Sequence, residues 1–458
     1  MGSSAPSSQT PERRFGLLQA TALNMSNMFG AGPFITIPAL MLTMGGPLSM
    51  LGWGVALILA LADGLVWSEL GAALQKTGGS YVYLREGYGR ETWGRFMGFL
   101  FIWQFILSGP LELATAYVGV AQYLQPLWPQ SSEFTRLCAG AGVGLFMIFL
   151  LYRHIESIGT IMVTLWGGAL LAMAMVIVSG TLHFDARLAF DFPQDAWQFD
   201  TVKWVALGAA ARIGMYDYLG YYDICFIGDE VKQPGRVIPR AVMLSLVLVA
   251  LIYFAVNLSI IGVVPWREFA SADGVSKPVV TMMMTKIYGK DFAQLFTGLV
   301  LWTMVACCFA MLLGYSRIPY AAARDGSFFR VFGRLHPRLG FPHVSLIVVG
   351  VFAAAATFVK LGTLIDALLT TRIVVQFVGQ IGALLMLRCV QPELRRPFRM
   401  WLYPLPALLA FVGWMYLLLT TDRVLLGYGM AVLFAGSLVF LVWSWLARSW
   451  PFAAAKDT

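Results

Sequence analysis

Apolar runs of about 20 residues recur along almost the whole of this 458-residue chain, separated by short polar gaps. At 1.5 Å per residue, a helix of that length crosses the roughly 30 Å of hydrocarbon in a bilayer. The chain is 59% hydrophobic and 12% charged, against about 45–50% and about 25% for ordinary soluble domains. Length alone suggests about three soluble domains, but the runs leave no room for them. The largest polar gap holds about 25 residues, below the roughly 40 that fold unaided. We expect an all-α polytopic membrane protein with about twelve spans, at 17–42, 48–74, 93–124, 134–152, 158–182, 202–231, 241–264, 292–323, 344–359, 364–387, 402–420 and 424–447.

The net charge of +8 raises nucleic acid as a partner, and the placement of the charges excludes it. Basic residues sit in the gaps and not on one surface. With the N-terminus inside, the cytoplasmic gaps and tails hold about 21 Lys and Arg and the outer gaps about nine. Arg324, Arg330, Arg334 and Arg338 follow the eighth span, and Arg395, Arg396 and Arg399 the tenth. The outer gap after the fifth is acidic, with Asp185, Asp191, Asp195 and Asp200. Both termini are therefore expected in the cytoplasm. Residues 1–14 lack the apolar stretch of a signal peptide and read as a disordered cytoplasmic tail; 449–458 form a second tail. Cys138, Cys225, Cys307, Cys308 and Cys389 show no zinc spacing, and an odd count argues against a full disulfide framework; they read as small apolar packers.

Two spans are interrupted. The first contains Asn27-Met28-Phe29-Gly30-Ala31-Gly32-Pro33-Phe34 near mid-membrane, where glycine and proline break a helix. Amides and carbonyls freed there cost several kcal/mol unless satisfied. A half-helix N-terminus offers amides and a positive dipole end to a carboxylate. A packing kink is the other reading, because Gly and Pro are frequent in membrane helices. The sixth span contains Tyr216-Asp217-Tyr218-Leu219-Gly220-Tyr221-Tyr222-Asp223, with two carboxylates and four tyrosines around one glycine. Intramembrane charge marks function by default. Breaks in the first helix of each of two five-helix halves suggest an inverted-repeat transporter. The halves would be 15–182 and 201–388, within a core of 15–400, with two further helices at 401–448.

The sequence resembles the amino acid–polyamine–organocation transporter superfamily over nearly all of 15–399. Gly30-Ala31-Gly32 resembles the family's glycine turn in its first helix. Glu69-Leu70-Gly71 and Gly78-Gly79-Ser80-Tyr81-Val82-Tyr83 resemble the end of helix two and its loop. Glu230-Val231-Lys232-Gln233-Pro234 with Ile238-Pro239-Arg240-Ala241 resembles the acidic-proline motif after helix six, and Ala323-Arg324-Asp325-Gly326 the close of helix eight. The resemblance implies two inverted repeats with helices one and six unwound. It also implies that backbone around Met28, Ala31 and Gly32 holds a substrate's carboxylate and amine. Tyr216 falls at an aromatic gate position, and Asp217, Tyr218, Leu219 and Gly220 on the unwound stretch. Tyr221-Tyr222-Asp223 and Ser108-Gly109-Pro110-Leu111-Glu112 resemble details of the polyamine-uptake branch.

Carboxylates at Glu112, Asp217 and Asp223 suit an ammonium or guanidinium, or pair internally with Arg212 or Arg372. Tyr216, Tyr218 and Tyr221 read equally as contacts or as core filler. Some carriers of the superfamily hold a lysine in helix five; 166–169 contain no basic residue here, which argues against lysine-based coupling. A buried carboxylate can carry a proton instead. Met311 in place of an aromatic would widen the pocket. The expected activity is proton-coupled uptake of amino acids or polyamines by alternating access across the cytoplasmic membrane, an amine or cationic substrate being favoured. An exchanger of neutral amino acids and a non-transporting sensor are the alternatives. The partners are lipid bilayer, substrate and H+. The scattered His154, His183, His336 and His343 form no HExxH or other ligand set, so neither enzyme chemistry nor a cofactor is expected.

Overall fold

A computed structural model describes residues 13, 15–29, 32–152, 158–269, 277–337 and 341–452, of which 158–166 are described by their backbone only. Ala31 and Gly30, on the first break, lie outside the described residues, as do His154 and Arg338. The helices are α1 (Leu17–Met28), α2 (Gly32–Thr43), α3 (Met50–Ala73), α4 (Ser80–Gly87), α5 (Trp93–Leu124), α6 (Glu133–Leu151), α7 (Ile158–Leu182), α8 (Ala186–Ala189), α9 (Thr201–Tyr218), α10 (Pro234–Ile261), α11 (Val279–Tyr288), α12 (Lys290–Tyr315), α13 (Arg317–Arg324), α14 (His343–Ala356), α15 (Leu361–Arg372), α16 (Gly379–Val390), α17 (Leu405–Leu419) and α18 (Arg423–Leu446). A π-helical segment, Ile373–Val378, joins α15 to α16.

Each of the twelve expected spans falls on helix. Among the described residues seven helical stretches are long and apolar enough to cross a membrane, and α1 with α2 makes an eighth, bent by 50°. Shorter apolar helices include α14 and α17. The chain is a polytopic, all-α membrane protein.

Proline placement shows how the bends are tolerated. Pro38 lies inside α2 and has no amide to give to the carbonyl four residues back. That carbonyl, on Phe34, accepts from the buried Tyr123 hydroxyl at 2.9 Å. Helices also meet where glycine removes a side chain: a Cβ on Gly52 would strike the backbone of Ala210 on α9, and one on Gly87 the backbone of Ala383 on α16. α3, α9 and α10 pack together behind the breaks, and α5 lies along α15 and α6.

The elements around α4 close one face of the bundle. Arg85 pairs with Asp325, and its Nη1 donates to the Tyr81 hydroxyl at 2.8 Å. Tyr81 in turn donates to Asp325 Oδ2 at 2.7 Å. Burial pushes the Tyr81 hydroxyl up to about 12, so it keeps its proton for this bond. Glu69, at the end of α3, takes both arms of Arg388 at 2.8 and 2.5 Å and the Met400 amide at 2.7 Å. The sequence motifs at 78–83 and 323–326 thus meet each other.

Candidate substrate site

α9 ends at Tyr218 because Leu219 turns to ψ 139° and Gly220 takes φ +108°. Only glycine holds that φ easily, and a Cβ there would also meet Asn27 at 2.9 Å. The chain then continues as short 3₁₀ turns, Asp223–Phe226 and Gly228–Glu230. The sixth span, expected as 202–231, is therefore helix only to Tyr218.

Side chains satisfy much of the freed backbone. Asn24 on α1 donates from Nδ2 to the Tyr221 carbonyl at 2.6 Å and accepts from the Ile224 amide at 2.9 Å. The Tyr253 hydroxyl of α10 donates to the Met28 carbonyl at the end of α1. Each break is thus held by a polar side chain from a neighbouring helix. The Met28 carbonyl, expected near the substrate, thus already accepts one hydrogen bond and has a second lone pair to offer.

Between the breaks lies a small cavity lined by Asn27, Met28, Gly32, Glu112, Ala116, Tyr216, Asp217, Leu219, Cys307 and Met311, with a volume of about 20 Å³. That is room for about one water molecule, well short of the usual small-molecule site. Six of the expected residues line it: Met28, Gly32, Glu112, Tyr216, Asp217 and Leu219. Gly32 opens α2, so the helix's N-terminal end faces the space. Gly32 has no room for a Cβ, which would collide with Asp217 Oδ1.

The three expected carboxylates differ in their surroundings. Asp217 is buried; its Oδ2 accepts from Thr36 Oγ1 at 2.7 Å, and its Oδ1 has no hydrogen-bond partner among the described residues. Glu112 Oε2 is paired with Arg372 Nη1 at 2.7 Å and accepts from the Tyr315 hydroxyl at 2.7 Å. Asp223 lies off the cavity, its Oδ2 accepting from Asn27 Nδ2 at 2.6 Å. Arg212 touches none of them: its Nε donates to Asp366 Oδ1 at 2.7 Å.

Four further expectations fall outside the cavity lining. Tyr218 is turned by the helix away from Asp217 and packs edge-on to Trp53 at 5.4 Å. Gly220 serves the turn. The Tyr221 hydroxyl donates to Asp63, a buried carboxylate of α3 that also accepts from Trp414 Nε1 at 3.2 Å. Asp223 is held by Asn27. Tyr216 does face the cavity, its hydroxyl 2.5 Å from Thr115 Oγ1. Sequence reasoning missed Asn27, Ala116, Cys307 and Asp63. Ala116 and Cys307 lie one helical turn from Glu112 and Met311, so period alone carried a signal. Among the cysteines, Cys225 and Cys308 are buried packers as expected, Cys307 lines the cavity, and Cys138 and Cys389 are exposed.

Known proteins give this geometry a context. The chain is 24% identical over 436 residues to the serine/threonine exchanger SteT of Bacillus subtilis, covering 94% of this chain and 96% of the exchanger. It is 25% identical over 464 residues to the human cystine/glutamate transporter, covering 98% and 89% of the two chains. It is also 25% identical over 449 residues to the mouse Asc-type amino acid transporter 1, covering 94% and 81%. The amino acid permease family model matches residues 15–446. The chain therefore belongs to the amino acid permease family, as the motifs at its breaks and loops anticipated, and it is a membrane transporter and not an enzyme.

Proposed function

We propose that this transporter carries small zwitterionic amino acids across the cytoplasmic membrane by alternating access. The observation that supports this most is a buried carboxylate oxygen without a hydrogen-bond partner among the described residues, Asp217 Oδ1, beside the N-terminal end of α2. An α-ammonium on Asp217 and an α-carboxylate at the α2 amides would use the two features together. The side chain would then point to Ala116, Leu219, Cys307 and Met311. A second ammonium has no free carboxylate to meet. Glu112 is engaged by Arg372, and Asp223 by Asn27 outside the lining. The cationic and polyamine substrates suggested by three intramembrane carboxylates lose two of the three. Similarity to a serine/threonine exchanger points the same way.

For coupling, the reading is proton symport. Its support is the presence of buried carboxylates, Asp217 and Asp63, that form no ion pair among the described residues. Exchange of one amino acid for another is the second reading, favoured by the exchanger among the relatives. Both termini would face the cytoplasm, with α4 on the cytoplasmic side, and the core would comprise inverted repeats at 15–182 and 201–388. Reconstituted protein decides among these readings. Labelled serine, arginine and putrescine are offered to proteoliposomes with a pH gradient, or with unlabelled amino acid inside. Serine uptake well above the other two is expected. Putrescine uptake that matches or exceeds serine uptake rejects the zwitterionic reading. Stimulation only by internal amino acid rejects symport.

A further inference from the structure

A second polar feature runs away from the cavity. On α5, Gln104, Ser108 and Glu112 are spaced by four residues and lie on one helix face. On the tenth span, Arg372, Gln376 and Gln380 have the same spacing, with Gln376 inside the π-helical segment. The two faces oppose each other in antiparallel register. Arg372 meets Glu112 at 2.7 Å and Ser108 Oγ at 3.0 Å. Further along, Gly379 lies against Met97, which places Gln376 level with Gln104. Ser108 Oγ donates to Gln104 Oε1 at 3.0 Å, and Ser80 Oγ, at the start of α4, donates to Gln380 Oε1 at 2.7 Å. The stripe thus begins at the cavity's edge and ends at the α4 face.

All six side chains and Ser80 are buried, none more than 4% exposed. Yet Gln104 Nε2, Arg372 Nη2, Gln376 Oε1 and Gln380 Nε2 have no hydrogen-bond partner among the described residues. Four unpaired polar atoms on one seam in a bilayer are costly if left so. Three are donors and one an acceptor, a mixture that water satisfies with two to four bonds per molecule. A π turn within an α-helix, common at functional sites, carries Gln376.

We propose that this seam binds a file of water from Glu112 to Ser80, and that the file is the path by which protons move between the α4 face and the cavity that Glu112 and Asp217 line. The proposal rests, in its second half, on proton symport. A proton entering at the Ser80 end forms an O–H bond on the first water, each water breaks one of its own O–H bonds to pass a proton to the next, and the last proton forms an O–H bond on a carboxylate of the cavity; release runs in reverse. Arg372 and Tyr315 contact Glu112 directly, and Tyr222 and Asp223 stand within electrostatic reach of the pair.

The test uses the full chain in proteoliposomes. Gln104→Cys and Gln376→Cys are compared with Val375→Cys, a buried apolar neighbour on the same π turn. Each is exposed to a methanethiosulfonate ethylammonium reagent, and modification of that peptide is followed by mass spectrometry. The two seam cysteines should react about tenfold faster or more, since thiol reactivity follows access. Equal rates at all three overturn the water file. Gln376→Leu then addresses the proton path. Gradient-driven uptake of serine should fall by about tenfold or more, as a lost relay would dictate, while exchange at equal pH is retained. Parallel loss of both, loss of neither, or a wild-type chain indifferent to the gradient overturns the proton path. The labelling result judges the file independently.

Discussion

At the scale of single residues, the cavity depends on Asp217 lying against a glycine. Asp217 Oδ1 faces the space left by the missing Cβ of Gly32. Asp217→Asn keeps the shape and removes the charge. A hydrogen bond to a charged group contributes about 1.5–3 kcal/mol, so amino acid affinity should fall by roughly 10- to 100-fold. Equilibrium binding of labelled serine to purified protein measures this; unchanged affinity would remove Asp217 from the site. Gly32→Ala should abolish uptake by displacing that carboxylate, whereas Gly427→Ala, where a Cβ meets nothing within 4 Å, should leave uptake unchanged. The Glu112–Arg372 pair belongs to the same scale. Arg372→Met alone strands a buried carboxylate and should cost about 3–5 kcal/mol. Adding Glu112→Met should recover most of that loss, as read by thermal unfolding in detergent. If the double variant is no more stable than the single one, the pair is not what holds these helices together.

At the scale of elements, the breaks were visible in sequence and their satisfaction was not. Gly220 and the carboxylates around it announce an interrupted helix, because each is expensive in an apolar span. Nothing local says that Asn24, almost 200 positions away, donates to the Tyr221 carbonyl and accepts from the Ile224 amide. Similarly, Asp63 sits mid-way along the second apolar run, and only the fold brings Tyr221 and Trp414 to it. The roles of Tyr218 and Tyr221 were ambiguous for the same reason: four tyrosines in eight residues cannot all face one cavity once the helix ends at Tyr218. The family motifs fixed which segment breaks and where; tertiary partners decide which side chains are spent on holding the break. Asn24→Ala leaves two buried backbone groups without a partner, at about 1–3 kcal/mol each. It should lower the unfolding temperature and loosen the second break, seen as faster hydrogen exchange at 220–226 than in wild type. Protection there equal to wild type would mean that Asn24 does not hold the break.

At the scale of the whole molecule, hydropathy made the spans legible, and twelve apolar runs fell on helix with ends displaced by only a few residues for most. The exceptions have causes: the sixth run ends early at Leu219, and the tenth contains a π-helical segment that no periodicity announces. Orientation is a separate property, because a helical bundle reads the same from either face. It has to come from charge. Arg85 of α4 pairs with Asp325, next to Arg324, and Arg388 and Arg396 meet Glu69 at the end of α3, just before α4; Asp185, Asp191, Asp195 and Asp200 lie in the gap between α7 and α9. Lys and Arg near span ends hold their loops in the cytoplasm far more strongly than acidic residues push the other way. The α4 face should therefore be cytoplasmic, whatever the pairings of the individual arginines, since their charge acts during insertion before Arg388 meets Glu69. Reporter fusions check it: alkaline phosphatase placed after residue 195 should be active and after residue 396 inactive, with the reverse pattern for a fluorescent protein that matures only in the cytoplasm. Activity at both positions would point to two insertion topologies, and replacing Arg395, Arg396 and Arg399 with glutamine should then shift the balance if charge is the cause.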